Sequence, residues 1–82
     1  MRLDKYLKVS RIIKRRTVAN EACDASHVTV NGRPAKASYD VKEGDIILIK
    51  FGARTLKIRA IAIKDSTKKA DATEMYEIVE QT

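Results

Sequence analysis

Hydrophobic positions recur with two different periods along the chain, and the change falls near residue 28. Residues 2–13 carry a helical period. At about 100° per residue, Leu3, Tyr6, Leu7 and Ile13 share one arc with Ser10 inside it, while Arg2, Lys5, Lys8 and Arg11 take the opposite arc. Val9 and Ile12 interrupt the basic side, as residues touching another element or a ligand would. Asp4 stands in the first turn, where it suits the helix dipole and can pair with Lys8 one turn on. A second helix is predicted over 16–26. Val18, Ala19, Ala22, Cys23 and Ala25 form its apolar stripe of small residues, and Asn20, Glu21 and Asp24 its wet face. Val18 and Ala22 are expected to pack with Leu3 and Leu7.

From Val28 the period becomes that of a strand. Val28-Thr29-Val30 alternates, and Asn31-Gly32 is a strong signal for a tight hairpin turn with Gly32 at positive φ. Pro34 pushes Arg33 toward an extended conformation, and Ala35 to Tyr39 reads as a short return segment. Glu43-Gly44-Asp45 reads as a turn before an apolar strand, Ile46 to Phe51. Gly52-Ala53 is a second turn, and Leu56 to Ala60 alternates. The phase shift over 61–63 predicts a bulge or a buried strand end near residue 61. Lys64 to Thr73 is polar and reads as a loop or a single helical turn. Met75 to Glu80 closes the sheet.

The chain has 82 residues, room for one domain. At 44% hydrophobic it can build a core despite 34% charged residues. One cysteine can form neither an internal disulfide nor a multi-cysteine metal site, which fits a reducing, intracellular setting. No apolar run reaches the ~20 residues of a membrane span, and the charged start lacks the apolar stretch of a signal peptide. A multidomain enzyme, a disulfide scaffold, a membrane protein and a disordered tail are excluded on these counts.

Charge sharpens the picture. Residues 1–16 hold seven bases against Asp4 alone, a surplus equal to the whole chain's net charge of +6. Residues 70–82 hold four acids and no base. The positive field therefore belongs to the N-terminal helical part and suits a polyanion, nucleic acid above all. Lys14-Arg15-Arg16 lies at the N-terminus of the second helix, the wrong end for cations, where each costs roughly 0.3–1 kcal/mol through the dipole. Together with free helix N–H groups, the same cations make a phosphate site.

Chemistry for catalysis is missing. His27 is the only histidine and has no nucleophile placed around it. Cys23 reads as a packing residue. Asp40, Glu43 and Asp45 lack calcium-loop spacing and read as a solvated turn. No glycine-rich phosphate loop occurs, so no enzyme activity, cofactor or metal is expected. Four aromatic residues, Tyr6, Tyr39, Phe51 and Tyr76, are few for a binder that stacks on splayed bases. Charge and shape complementarity to folded RNA fits better.

Arg2-Leu3-Asp4-Lys5-Tyr6-Leu7, Ser10-Arg11, Lys14-Arg15-Arg16-Thr17, Val28 to Gly32, and Val41 with Gly44-Asp45-Ile46 resemble the S-four RNA-binding domain. The resemblance implies an α+β fold, two N-terminal helices packed on a small, mostly antiparallel sheet, also called the alpha-L RNA-binding fold. Residues 1–82 then form a single domain, with the motif over about 1–50 and closing strands over 54–80. Carried over by motif, Arg2, Lys5, Arg11, Arg15 and Arg16 face RNA, with Asn31, Arg33 and Lys36 at the hairpin edge; Lys8 and Lys14 complete the basic set. Against that, Lys5 and Lys8 suit a solvated helix face, Arg33 and Lys36 lie near a turn, and Asn31 is first of all a turn residue. Arg2, Arg15 and Arg16 have no acidic partner evident nearby in sequence.

The start, the IKRRT segment and the closing KDSTKKADATEMYEIV are similar to short stand-alone members of that family from Gram-positive bacteria, which serve ribosome quality control. That likeness implies a cytoplasmic monomer on the large ribosomal subunit. There it would contact large-subunit rRNA and P-site peptidyl-tRNA on stalled, split ribosomes and work with a factor that recruits alanyl-tRNA for C-terminal alanine tailing. Other readings remain: a general binder of structured RNA in ribosome assembly or heat-shock ribosome recycling, an appendage of a pseudouridine synthase, or a DNA-binding module. Heat-shock members of the family carry a long basic C-terminal extension, where this chain has acidic residues.

Overall fold

The computed structural model describes residues 1–63, 72 and 74–81. In chain order come α1 (Leu3–Val9), α2 (Arg16–Asp24), β1 (Val28–Val30), β2 (Arg33–Pro34), β3 (Ile46–Phe51), β4 (Arg54–Ala60) and β5 (Tyr76–Gln81). The strands form one sheet in the order β2-β1-β3-β4-β5, each neighbouring pair antiparallel. This is the expected α+β architecture.

Leu3, Tyr6 and Leu7 of α1 are fully buried, and Ser10 and Ile13 nearly so, as the helical arc predicted. The helix itself stops four residues before the expected end. Ser10 Oγ donates to the Leu7 carbonyl, and Arg11 turns into the left-handed region at φ +63°. A non-glycine residue there costs about 1–2 kcal/mol. It lets Ile13 fold back so that its N–H reaches the Leu7 carbonyl at 3.1 Å. The arc is thus completed by a turn rather than by more helix.

The second helix also ends early, at Asp24, with Ser26 at φ +62°. Ala19 and Cys23, one turn apart, are buried, and Ala22 is half-buried. Val18 does not pack with Leu3 and Leu7 as expected; it is 46% exposed. The buried seam of this short helix runs along the Ala19–Cys23 line, and Val18 lies about 100° off it.

Asn31 and Gly32 sit at φ +53° and +84°, both left-handed, which is the geometry of the tightest hairpin turn. Pro34 lies on the edge strand, where its missing N–H costs no ladder bond. Residues 35–39 form the expected return segment as a turn, with Tyr39 N–H donating to the Lys36 carbonyl and Ala37 buried. Val28, Val30, Ile47, Ile49 and Ile58 face the helices and complete the core.

Of the two alternatives expected near residue 61, the buried strand end holds: β4 ends at Ala60, which is buried. A bulge also occurs, but earlier, between Lys57 and Ile58 where β4 pairs with β5. Lys57 stands opposite Glu80 and Ile58 opposite Ile78, so Val79 is the extra residue. At 61–62 the chain leaves the ladder, and the N–H groups of Ile61 and Ala62 both reach the Met75 carbonyl. The fully buried Tyr6 hydroxyl donates to that same carbonyl at 2.6 Å. The final strand starts one residue later than expected. Of the polar stretch 64–73 read as a loop or a single helical turn, only Ala72 is among the described residues, and it is buried.

Candidate nucleic-acid interface

The first four residues are tied to the segment that follows the hairpin. The N-terminal ammonium pairs with Asp40 at 2.6 Å, and Val41 N–H donates to the Met1 carbonyl at 2.8 Å. Leu3 N–H donates to the Tyr39 carbonyl and Asp4 N–H to that of Ala37. Arg2 is therefore held between the start of α1 and the 37–41 segment rather than on a loose terminus.

Asp4 is where the structure departs most from the sequence reading. It pairs with Arg2 and Arg16, not Lys8. Arg2 Nε donates to Oδ1 at 3.2 Å and Arg2 Nη2 to Oδ2 at 3.4 Å. Arg16 Nε and Asn20 Nδ2 donate to Oδ2 at 3.3 and 3.4 Å, and Lys5 N–H donates to Oδ1 at 2.8 Å. Burial alone would raise this carboxyl's pKa. The hydrogen bonds from Arg2, Asn20, the Lys5 amide and Arg16 outweigh it and hold the pKa below the ordinary value. Both arginines thus have an acidic partner, against expectation: for Arg2 it lies two residues along the chain, for Arg16 twelve, and Asn20 belongs to this cluster rather than to a wet face.

The pairing does not consume the arginines. Asp4 is 3% exposed at its side chain, whereas Arg2 and Arg16 are 50% and 49% exposed. A guanidinium has five N–H donors, so each keeps donors turned to solvent. The carboxylate fixes two guanidinium groups from different elements on one surface, which lowers the entropy of holding them there when an anion arrives.

The other candidate residues surround this pair. Lys14 and Arg15 are exposed, and Arg15 is the extended residue just before α2, with no acid in that helix's first turn. The cations sit at a helix N-terminus, as expected. Lys8 and Arg11 are exposed on α1 and its terminal turn, and Lys5 is half-buried. Lys36 shares a groove of about 560 Å³ with Arg2, Asn20 and Ser38. Arg33 and Lys36 line an adjoining groove of about 620 Å³ along β2. A cationic surface therefore runs from the α1–α2 connection past Arg2 to the hairpin.

Asn31 plays a different part. Its amide donates to Asp45 Oδ1 at 3.2 Å, and its carbonyl oxygen accepts from Ile46 N–H at 3.0 Å. Asp45 is not a solvated turn acid as expected. It is buried and also accepts from the Tyr39 hydroxyl at 2.9 Å and Lys42 N–H at 3.0 Å. Burial works to raise its pKa, but these donors lower it overall. Among the described residues no group of three or more His, Cys, Asp or Glu gathers as a metal site. Cys23 is buried and its thiol is pushed up to about 11, chiefly by burial, with Asp4 and Asp24 adding to it.

Two features were missed from sequence, the Asp4 clamp and the Asn20 amide that joins it. The available signal was that Asp4 is the lone acid among the seven bases of residues 1–16.

Known proteins share this architecture. The family model described as the S4 domain matches residues 1–47. A relative from Streptococcus pneumoniae strain R6, named RQC P-site tRNA stabilizing factor, is 57% identical over 82 residues, which is 100% of this chain and 93% of the relative. A relative of the same name from Bacillus subtilis strain 168 is 49% identical over 99% of this chain and 94% of its own. Among solved structures, the trimeric heat shock protein 15 of Vibrio cholerae superposes with a TM-score of 0.90 at 30% identity, over 96% of this chain and 81% of that one.

Proposed function

The chain belongs to the S4 domain family, and on that premise we propose that it serves ribosome quality control as an RNA-binding factor of the large ribosomal subunit. It binds large-subunit rRNA and the P-site peptidyl-tRNA of stalled, split ribosomes. It supports C-terminal alanine tailing alongside a factor that recruits alanyl-tRNA, and it acts in the cytoplasm as a monomeric, single-domain binding protein rather than an enzyme. The observation that carries this reading is the near full-length likeness to relatives named RQC P-site tRNA stabilizing factor, at 57% and 49% identity.

The geometry supports it in kind. Arg2, Lys5, Lys8, Arg11, Lys14, Arg15 and Arg16 contact phosphates, and Arg33 and Lys36 extend the contact to the hairpin. Asn31 acts by holding the hairpin against Asp45. The contacts are cationic, with few amides free to read bases, so recognition rests on the shape and phosphate spacing of folded RNA. A protein that touches rRNA and a P-site tRNA at once makes the second contact at high effective concentration.

Co-sedimentation with large subunits, before and after peptidyl-tRNA is removed by puromycin or a peptidyl-tRNA hydrolase, tests this. We expect preferential binding to the loaded subunits at moderate salt. Equal binding in both states would leave a general binder of structured RNA. That reading, in assembly or heat-shock ribosome recycling, draws on the likeness to heat shock protein 15.

A further inference from the structure

The sheet has a second face, turned away from the helices. In β3 and β4, Ile47, Ile49 and Ile58 point to the core. The alternate residues Leu48, Lys50, Lys57 and Arg59 point outward, with Leu48 opposite Lys57 and Lys50 opposite Thr55. Three cations thus share the outer face, Lys50 and Arg59 exposed and Lys57 half-buried. Left alone, this would be a second basic patch, offered to any RNA.

β5 sets a glutamate opposite two of the three. Arg59 stands opposite Glu77 and makes an ion pair with it at 2.5 Å; Lys57 stands opposite Glu80. Directly opposed residues of antiparallel strands share a face, so both glutamates lie on the outer surface. Arg59 and Glu77 are 48% and 51% exposed at their side chains. Ion pairs this exposed add little to stability, so stability is a weak reason for the arrangement. The S4 family model ends at residue 47, so β4 and β5, with all four of these side chains, lie outside it.

We propose that Glu77 and Glu80 are specificity determinants that close the outer sheet face to RNA, leaving the helix-and-hairpin surface as the one productive docking face. The inference rests on the RNA-binding reading above. A small basic protein with two cationic faces would bind any exposed phosphate, in either orientation. Cancelling one face costs nonspecific affinity but leaves the docked orientation defined. Lys50, the third outward cation, stays without a glutamate opposite it, so the face is weakened rather than made acidic.

The test compares the wild type, Glu77→Gln with Glu80→Gln, and that pair combined with Lys57→Gln and Arg59→Gln. Each is measured on an RNA duplex of unrelated sequence across a salt series, and on large subunits carrying peptidyl-tRNA. The glutamine pair is expected to bind the unrelated duplex roughly tenfold tighter at low salt, with a salt slope steeper by up to about 2, as two freed cations would give. The fourfold variant should return to the wild-type slope. That return reports charge and not folding, because destabilising β5 would not be reversed by two further substitutions. Subunit binding by the glutamine pair should stay within about twofold of wild type, reducing discrimination between target and unrelated RNA. Unchanged duplex affinity and slope in the glutamine pair would overturn the inference. A wild type that binds neither RNA would overturn the RNA-binding reading itself.

Discussion

Arg2 and Arg16 come from two different elements and meet on one buried carboxylate, with Nε of each 3.2 and 3.3 Å from opposite oxygens of Asp4. That relationship turns scattered positive charge into a surface with a defined spacing. It also makes the sign of one substitution informative.

Asp4→Asn adds one unit of positive charge to the protein. If charge alone governed binding, RNA affinity would rise. We expect it to fall, because a neutral amide cannot accept from Arg2, Arg16, Asn20 and the Lys5 amide together. Stability should drop by about 1–3 kcal/mol from the donors left unpaired. Denaturant unfolding and filter binding, at a temperature where the variant is folded, check both effects.

The same carboxylate gives a pH dependence. Its folded pKa lies below the ordinary 3.8, so its contribution to stability is complete above that value and is lost as pH falls through the folded pKa. Asp45 acts in the same direction. The wild type should lose stability on acidification below about pH 4, and Asp4→Asn should lose less over that window. Thermal melts from neutral to acidic pH read the difference.

Leu7 is fully buried between α1 and the rest of the core. Leu7→Ala should cost roughly 2–5 kcal/mol, a large share of the stability of a domain this small. A large fall in melting temperature is the expected outcome.

Arg15 and Arg16 stand at the start of α2 with no acid in its first turn. Replacing both by alanine should flatten the salt dependence of structured-RNA binding by up to about 2 in slope. An unchanged slope would remove the phosphate site assigned to this helix end.

The thiol of Cys23 is buried, with a pKa near 11. In the folded protein it should resist alkylation at mildly alkaline pH, and it should react quickly once the chain is unfolded. Mass spectrometry of timed iodoacetamide reactions distinguishes the two.

What the sequence disclosed depended on distance along the chain. The arc of Leu3, Tyr6, Leu7, Ser10 and Ile13, the Asn31-Gly32 turn and the β3 strand were all legible, because a few neighbouring residues determine each of them. The end of α1 was not, because Arg11 takes a left-handed conformation that its side chain does not advertise. Nor were the distant partners of Asp4 and Asp45. Asn20 and Asn31 are 16 and 14 residues from them, and only the packing of α2 and the hairpin brings them close. The exposure of Val18 depended likewise on which line of α2 met the sheet.

The Met75 carbonyl receives the hydroxyl of Tyr6 from 69 residues away in sequence, along with two amides from just beyond β4. A fragment cut at the boundary of the family motif, near residue 47, would lose that acceptor together with Ile49, Ile58 and Ala60 of the core. The core that buries Tyr6 therefore extends past the residues the family motif matches. Met75 works as a keystone for α1, and dissection of this protein should proceed by point substitution, not by truncation.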